Sequence, residues 1–317
     1  MVLLFLFTLG PALPGNWETV ELKREGDRIE ILVGGHPFTS YYFGAATAKP
    51  YLFPLRSARG TVVTRGFPMA DIPGEHHDEP HQRAMYFAHG DINGYDFWGE
   101  ADFARWSRHS SSTFGRTIFR VLDKMYVGNE SGVLQAQFDL VTSEGKTIAS
   151  ETQAYSFSGA EDLRIIDCEF TIRATHGPVR IGDTKEGTFA IRLVKGLESP
   201  PGQMVNSTGS TGEKGVWGQR ADWVDYHGNV AGENVGLAIF DHPDNLRHPT
   251  YWHARRYGLL AANPFGLKEF CHNLRQDGGY TIPDGGSITL RYRVFIHHGD
   301  FREARVAEAC NQYANKK

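Results

Sequence analysis

Cysteine is scarce in this chain. Its three residues, Cys168, Cys271 and Cys310, are an odd number with no metal-ligand spacing, and Cys168 lies on the apolar side of a strand pattern, as a buried thiol does. No run of lysine and arginine occurs and the formal net charge is −4, which argues against nucleic acid or an anionic membrane as the main partner. No apolar stretch approaches the roughly 20 residues that a spanning helix needs. The βαβ alternation and Gly-rich phosphate loop of nucleotide-binding folds are missing too, so Rossmann and P-loop readings fail. What is plentiful is glycine (36), proline (15) and aromatic residues (12%), a balance that suits a loop-rich all-β protein.

Residues 2–9 (VLLFLFTL), followed by Gly-Pro-Ala-Leu-Pro-Gly, read as the end of a secretory signal and predict a periplasmic or secreted protein. The block lacks a basic start, which leaves a truncated signal or an apolar N-terminal strand as alternatives. Period-two alternation recurs after it, in Leu134–Leu140, Ile166–Ile172 and Ile288–Ile296. Turn clusters at Arg24–Asp27, Asn129–Gly132, Ser143–Lys146, Ser158–Glu161 and Pro283–Gly286 separate such strands. Only the C-terminus reads as helix: Asp300 with Glu303 forms a capping pattern, and Ala304, Val306, Cys310 and Tyr313 give apolar spacing over 301–314. The expectation is one large antiparallel β-sandwich over 16–317, with long site-bearing loops and one terminal helix.

Two segments carry the chemistry. His76–Trp98 packs four His, four Asp/Glu, an Arg, an Asn and five aromatics into twenty-three residues, and Asp241–Gly266 holds three His and three Arg around Tyr251 and Trp252. Polar groups at this density are costly to desolvate unless they pair with each other or with a ligand, so the two segments are expected to line one polar cleft. In His89-Gly-Asp-Ile-Asn-Gly94 the glycines suit a tight turn that sets His89, Asp91 and Asn93 on one rim, with general acid/base work as the functional reading and an Asx-turn as the structural one. Glu186, on a connection at a strand end with Asp183, is the expected second acid/base group, and a solvated turn charge is its alternative. His253 and Arg255 alternate across Ala254 and are read as cleft-facing, with His253 catalytic. His77, His81, Arg83, Asn93, Trp98, Arg220, Trp252, Arg255, Asn263 and Phe265 are the expected substrate contacts, since rings beside hydrogen-bonding groups suit a sugar. Arg220, between Trp217 and Trp223 and downstream of Glu213, is either a stacked structural Arg or a hydroxyl or anion clamp. No cofactor is called for. A divalent metal on His77, His81, His89 and Asp91 stays open as an alternative, because imidazole with carboxylate suits several metals.

The stretches Lys49–Met69, His81–Trp98, Trp217–Tyr226 (WGQRADWVDY), Asp241–Gly258 and Ala262–Gly266 (ANPFG) together resemble the bacterial family labelled "methane oxygenase PmoA", or PmoA-like, over nearly the whole chain after about Ile31. Members show consecutive His before the Arg where this chain has His81-Gln82-Arg83, so a role for a second imidazole is not carried over. The monooxygenase subunit of that name is an integral membrane protein, which a chain without a spanning stretch does not match. The resemblance instead implies a galactose-mutarotase-like β-sandwich of the kind found among saccharide-degrading enzymes. A carbohydrate-active enzyme working by hydrolysis or elimination on a saccharide is the leading reading. A metal-dependent oxygenase or oxidase and a non-catalytic sugar-binding sandwich are the alternatives. Oligomeric state is not written in the sequence.

Overall fold

The structure, a computed structural model, describes residues 16–100 and 113–315; the signal-like segment 2–9 lies outside the described residues. In chain order the strands are β1 (Val20–Glu25), β2 (Arg28–Val33), β3 (His36–Tyr42), β4 (Tyr51–Leu52), β5 (Met85–His89), β6 (Arg116–Val127), β7 (Gly132–Val141), β8 (Thr147–Ala160) and β9 (Leu163–Arg173). They continue as β10 (Val179–Ile181), β11 (Gly187–Arg192), β12 (Gln203–Asn206), β13 (Trp223–Val230), β14 (Glu233–Asp241), β15 (Tyr251–Ala254), β16 (Leu259–Asn263), β17 (Tyr280–Ile282) and β18 (Ser287–His298). One eight-stranded sheet runs β1-β2-β3-β4-β5-β11-β16-β15, and the other runs β12-β13-β14-β18-β9-β8-β7-β6; β10 and β17 form a separate ribbon. The named strand pairs are antiparallel, so the chain is the antiparallel β-sandwich that the alternation predicts.

The alternation that marks β7, β9 and β18 in the sequence is the inside–outside alternation of these strands. Leu134, Ala136, Phe138 and Leu140 point inward from β7, and Ile166, Cys168, Phe170 and Ile172 do so from β9. Between β7 and β8 the turn needs a residue at φ +81°, which Gly145 supplies without a Cβ penalty. Stacked rings then tie the sheets together: Phe87 of the first lies 4.2 Å from Phe170 of the second, and Phe189 lies 5.0 Å from Tyr292. Burying each such ring contributes roughly 1.5–3 kcal/mol, and truncating Phe170 to Ala would cost about 3–5 kcal/mol.

The C-terminal helix begins later than the capping pattern predicts. Asp300 Oδ1 does accept the amides of Arg302 and Glu303, and Glu303 Oε2 accepts the amide of Asp300. Residues 301–305 nevertheless form turns that end with Arg305 at φ +54°, and the helix, Val306–Ala314, starts only there. Its Val306, Ala309, Cys310 and Tyr313 cover Trp223, Phe240 and Phe295 on the outer face of the second sheet. Two single-turn helices not foreseen, Gly212–Val216 and Leu267–Phe270, sit in loops beside the first sheet's β15–β16 edge.

One polar group in the sandwich interior is out of keeping with its surroundings. Glu151 projects inward from β8 beside Gln153, whose amide donates to it at 2.7 Å, while Tyr41 and Tyr155 donate to the Gln153 carbonyl at 2.9 and 2.7 Å. Burial raises the Glu151 carboxyl to about 8, so it is protonated at neutral pH. A carboxyl raised in the folded state stabilises the fold fully below its unfolded value near 4.5, and this contribution is lost as pH rises toward about 8. Over that window wild-type stability should fall by roughly 1.4 kcal/mol per pH unit relative to Glu151→Gln. Urea unfolding of both proteins at several pH values checks this; parallel stability curves would contradict a buried, protonated Glu151.

Candidate active site

Strand parity makes the cleft. Met85 and Phe87 of β5 point into the sandwich, which turns Tyr86 and Ala88 to the outer face of the first sheet. The registers continue this outer row: Tyr86 lies opposite Ala190 of β11, Ala190 opposite Ala261 of β16, and Ala261 opposite His253 of β15. The two alanines are fully buried there, packed with Tyr86, Trp98 and Leu259. Beside this layer lies a cleft of about 450 Å³ whose lining includes Glu79, His81, Gln82, Asp96, Trp98, Lys185, Glu186, His253, Arg255 and Tyr257. The two dense segments of the sequence therefore do meet.

Two buried arginines hold one wall. Arg65 donates to the carbonyls of Asp78, Glu79 and Gln82 at 2.8, 2.9 and 3.1 Å and to Asp78 Oδ1 at 2.7 Å. Arg192 donates to Gln82 Oε1 at 2.6 Å and to the same Asp78 oxygen at 3.2 Å, and stacks on Tyr257. Burial and the neighbouring Arg192 charge lower Arg65 to about 10, still charged at neutral pH. Their hydrogen bonds fix segment 78–82, which carries Glu79 and His81 into the cleft. The opposite wall, 183–186, is held by Asn263, whose Nδ2 donates to the carbonyls of Thr184 and Lys185 at 2.9 and 3.0 Å, and by Glu269, which accepts the Lys185 amide at 2.9 Å.

The groups in the cleft differ in what they can do. His253 is committed: Nδ1 donates to Lys185 O at 3.0 Å and Nε2 accepts from Arg255 Nε at 3.2 Å, and burial lowers its pKa to about 3. It orients Arg255, which Glu213 holds at 3.0 Å, and is poorly placed to carry a proton. Asp96 accepts the amides of Trp98 and Gly99, both at 2.8 Å. His81 is uncharged at neutral pH, since burial first and the Lys49 charge next lower it to about 3; its Nδ1 lies 3.5 Å from Glu79 Oε2. Burial raises the pKa of Glu79, and the charges of Glu186 and Asp78 add to this. Glu186 lies 3.2 Å from the Lys185 ammonium. Trp98 Nε1, in a residue only 2% exposed, has no hydrogen-bond partner among the described residues.

Of the expected site residues, the structure brings His81, Trp98, Glu186, His253 and Arg255 together. His89 is displaced from the expected rim. It is the last residue of β5, in phase with Met85 and Phe87, so it points inward, where Nε2 bonds to Gly182 O at 2.9 Å and the ring meets the edge of Phe265. Burial lowers its pKa to about 4. Gly187 has to be glycine there, because a Cβ would lie 2.2 Å from His89 Nδ1. Asp91 accepts the Gly94 amide at 2.9 Å, as the Asx-turn alternative has it, and Asn93 accepts the Arg180 amide at 2.7 Å, which ties the turn to β10. Trp252 and Phe265 are core residues and Asn263 supports the loop. Arg83 is clamped by Glu100 through two bonds of 2.8 Å. Arg220 binds the carbonyls of Arg247, His248 and Pro249. His77 stacks on Phe67 and pairs with Asp71 on an exposed loop. The metal set His77, His81, His89 and Asp91 is not assembled: among the described residues no three His, Cys, Asp or Glu side chains are arranged to hold a metal ion.

Sequence reasoning missed Glu79, Gln82, Lys185 and Tyr257 as lining residues, and Arg65 and Arg192 as their support. Glu79 and Gln82 stood inside the first dense segment, and Tyr257 inside the second.

Residues 28–311 match the model of a family described as "Family of unknown function (DUF6807)". No curated protein matches the chain. Among solved structures it is similar to a galactose mutarotase-like protein from Clostridium acetobutylicum, with a TM-score of 0.45 and 10% identity over 89% of this chain and 99% of that one. An α-galactosidase from Lactobacillus brevis gives 0.42 and 8% over 90% of this chain and 40% of that one. A GH36 α-galactosidase from Geobacillus stearothermophilus gives 0.41 and 9% over 88% and 41%. The chain thus spans about two fifths of each α-galactosidase.

The inward position of His89 yields a stability effect rather than a catalytic one. His89→Ala should destabilise the fold by about 2–4 kcal/mol in urea unfolding, through an unfilled cavity and an unpaired Gly182 carbonyl, while the folded fraction keeps its activity. An unchanged midpoint with activity abolished would reverse this assignment.

Proposed function

We propose that this chain, which belongs to the family of unknown function DUF6807, is a carbohydrate-active enzyme that breaks a glycosidic linkage by general acid/base chemistry in the cleft on the first sheet. One observation carries the reading: a single cleft presents three carboxylates, of which Asp96 is engaged by backbone amides while Glu79 and Glu186 stand in unlike surroundings, together with rings and hydrogen-bonding groups. Glu79 is pushed toward its protonated form by burial and by the charges of Glu186 and Asp78, whereas Glu186 has the Lys185 ammonium 3.2 Å away. In this reading Glu79 donates the proton to the leaving oxygen and Glu186 is the base. His81, uncharged and with Nδ1 3.5 Å from Glu79 Oε2, helps to position that carboxyl. Arg255 supplies donors to sugar oxygens, and the ring of Tyr257 supplies apolar surface to its C–H faces. Hydrolysis uses an acid and a base across the scissile bond, whereas elimination needs a base and a charge-stabiliser at the carbonyl side.

The signal-like residues 2–9 fit a periplasmic or secreted enzyme, which fractionation of the producing cell checks.

The test is turnover of aryl glycosides, oligosaccharides and 3-keto sugars by wild-type protein and by Glu186→Gln. The variant should lose about 10²–10⁴-fold in kcat with an unchanged unfolding midpoint. Glu79→Gln should remove the high-pH limb of the kcat/KM profile, because activity that needs protonated Glu79 is lost as pH rises through its raised pKa. Full activity in Glu186→Gln would sink the mechanism.

A further inference from the structure

We propose that the site takes an elongated saccharide, with one unit in the acid/base cleft and the next on a separate platform formed by Trp217, His272 and Leu274; this rests on the saccharide reading above. A second depression, of about 430 Å³, adjoins the cleft and shares Lys185 and Arg255 with it. These two cations form the saddle between the halves. Each is fixed in advance: Lys185 by Glu186 and Glu269, and Arg255 by Glu213 and His253. Two immobilised donors at a boundary suit the oxygens around a linkage that crosses it.

The outer half differs from the inner in its chemistry. The one carboxylate that lines it is Glu269, and both of its oxygens are engaged by Lys185, one by the amide and one by the ammonium. No free acid/base pair faces it, so it is equipped to bind and not to react. Its apolar surface is of the kind a sugar face covers. Leu274, 85% exposed, stands on its rim beside the Trp217 indole, which His272 flanks at 5.4 Å. A single exposed Leu means little, but here it lines the same depression as an indole. An aromatic ring is what a pyranose needs on its apolar face.

The experiment compares kcat/KM for 4-nitrophenyl monoglycosides with di-, tri- and tetrasaccharides of gluco-, galacto- and xylo-configuration, and measures binding of the same compounds to Glu186→Gln. The expected result is a gain from one unit to two. Trp217→Ala and Leu274→Ser should each reduce that length-dependent gain, by roughly tenfold for the Trp variant. Leu274 is so exposed that its variant tests the platform even if Trp217→Ala folds poorly. Equal values for all lengths in the wild-type protein, or equal losses at all lengths in both variants, would overturn the platform while leaving the cleft assignment standing. Absence of binding or turnover for every saccharide would overturn both.

Discussion

The site depends on which face of β5 each side chain takes. Side chains alternate along a strand, so once Met85 and Phe87 are in the sandwich, Tyr86 and Ala88 are committed to the other side and His89 to the inside. The aromatic stack of Phe87 on Phe170 holds that parity. Moving β5 by one residue would put His89 on the outer face and Tyr86 in the sandwich. The buried layer under the cleft then follows from register, since Ala190 and Ala261 are small residues placed beside Tyr86 by the pairing of β5, β11 and β16.

The sheet is only half of a site; the reacting groups come from loops that must be held still. The sequence spends buried charge on this. Asp78 is shared by Arg65 and Arg192, and removing either arginine would leave the other facing a partly unsatisfied segment in a buried setting. The same logic holds the other wall, where Asn263 and His253 both bond to the Lys185 carbonyl. Much of the polar density that marks the two segments is therefore support, and the partly exposed groups that line the cleft are few, Glu79, Glu186, Arg255 and Tyr257 among them.

That division explains how much could be read in advance. The sandwich was legible because β7, β9 and β18 each have one polar face, so their alternation survives in the sequence. The meeting of segments 76–98 and 241–266 was legible from the cost of desolvating so many polar groups. β5 was not, because Met85-Tyr-Phe-Ala-His89 is buried on both faces and has no alternation to show its parity. The histidine–carboxylate pair at 89 and 91 thus looked like a catalytic rim when it is a strand end followed by an Asx-turn. Arg192 lies 110 residues from Gln82, and no local pattern announces such a partnership. Glu79 was one carboxylate among four in its segment, distinguished only by the burial that the fold imposes on it.

The central claim is that ligand is bound on the outer face of the first sheet, between segments 78–82 and 183–186. The most direct measurement is a crystal structure of Glu186→Gln with an oligosaccharide bound from the panel of sugars. The account predicts a sugar ring beside Tyr257, within hydrogen-bond reach of residues 79, 186 and 255. A sugar seated instead at the Asp91–Asn93 turn, or on the second sheet, would contradict it.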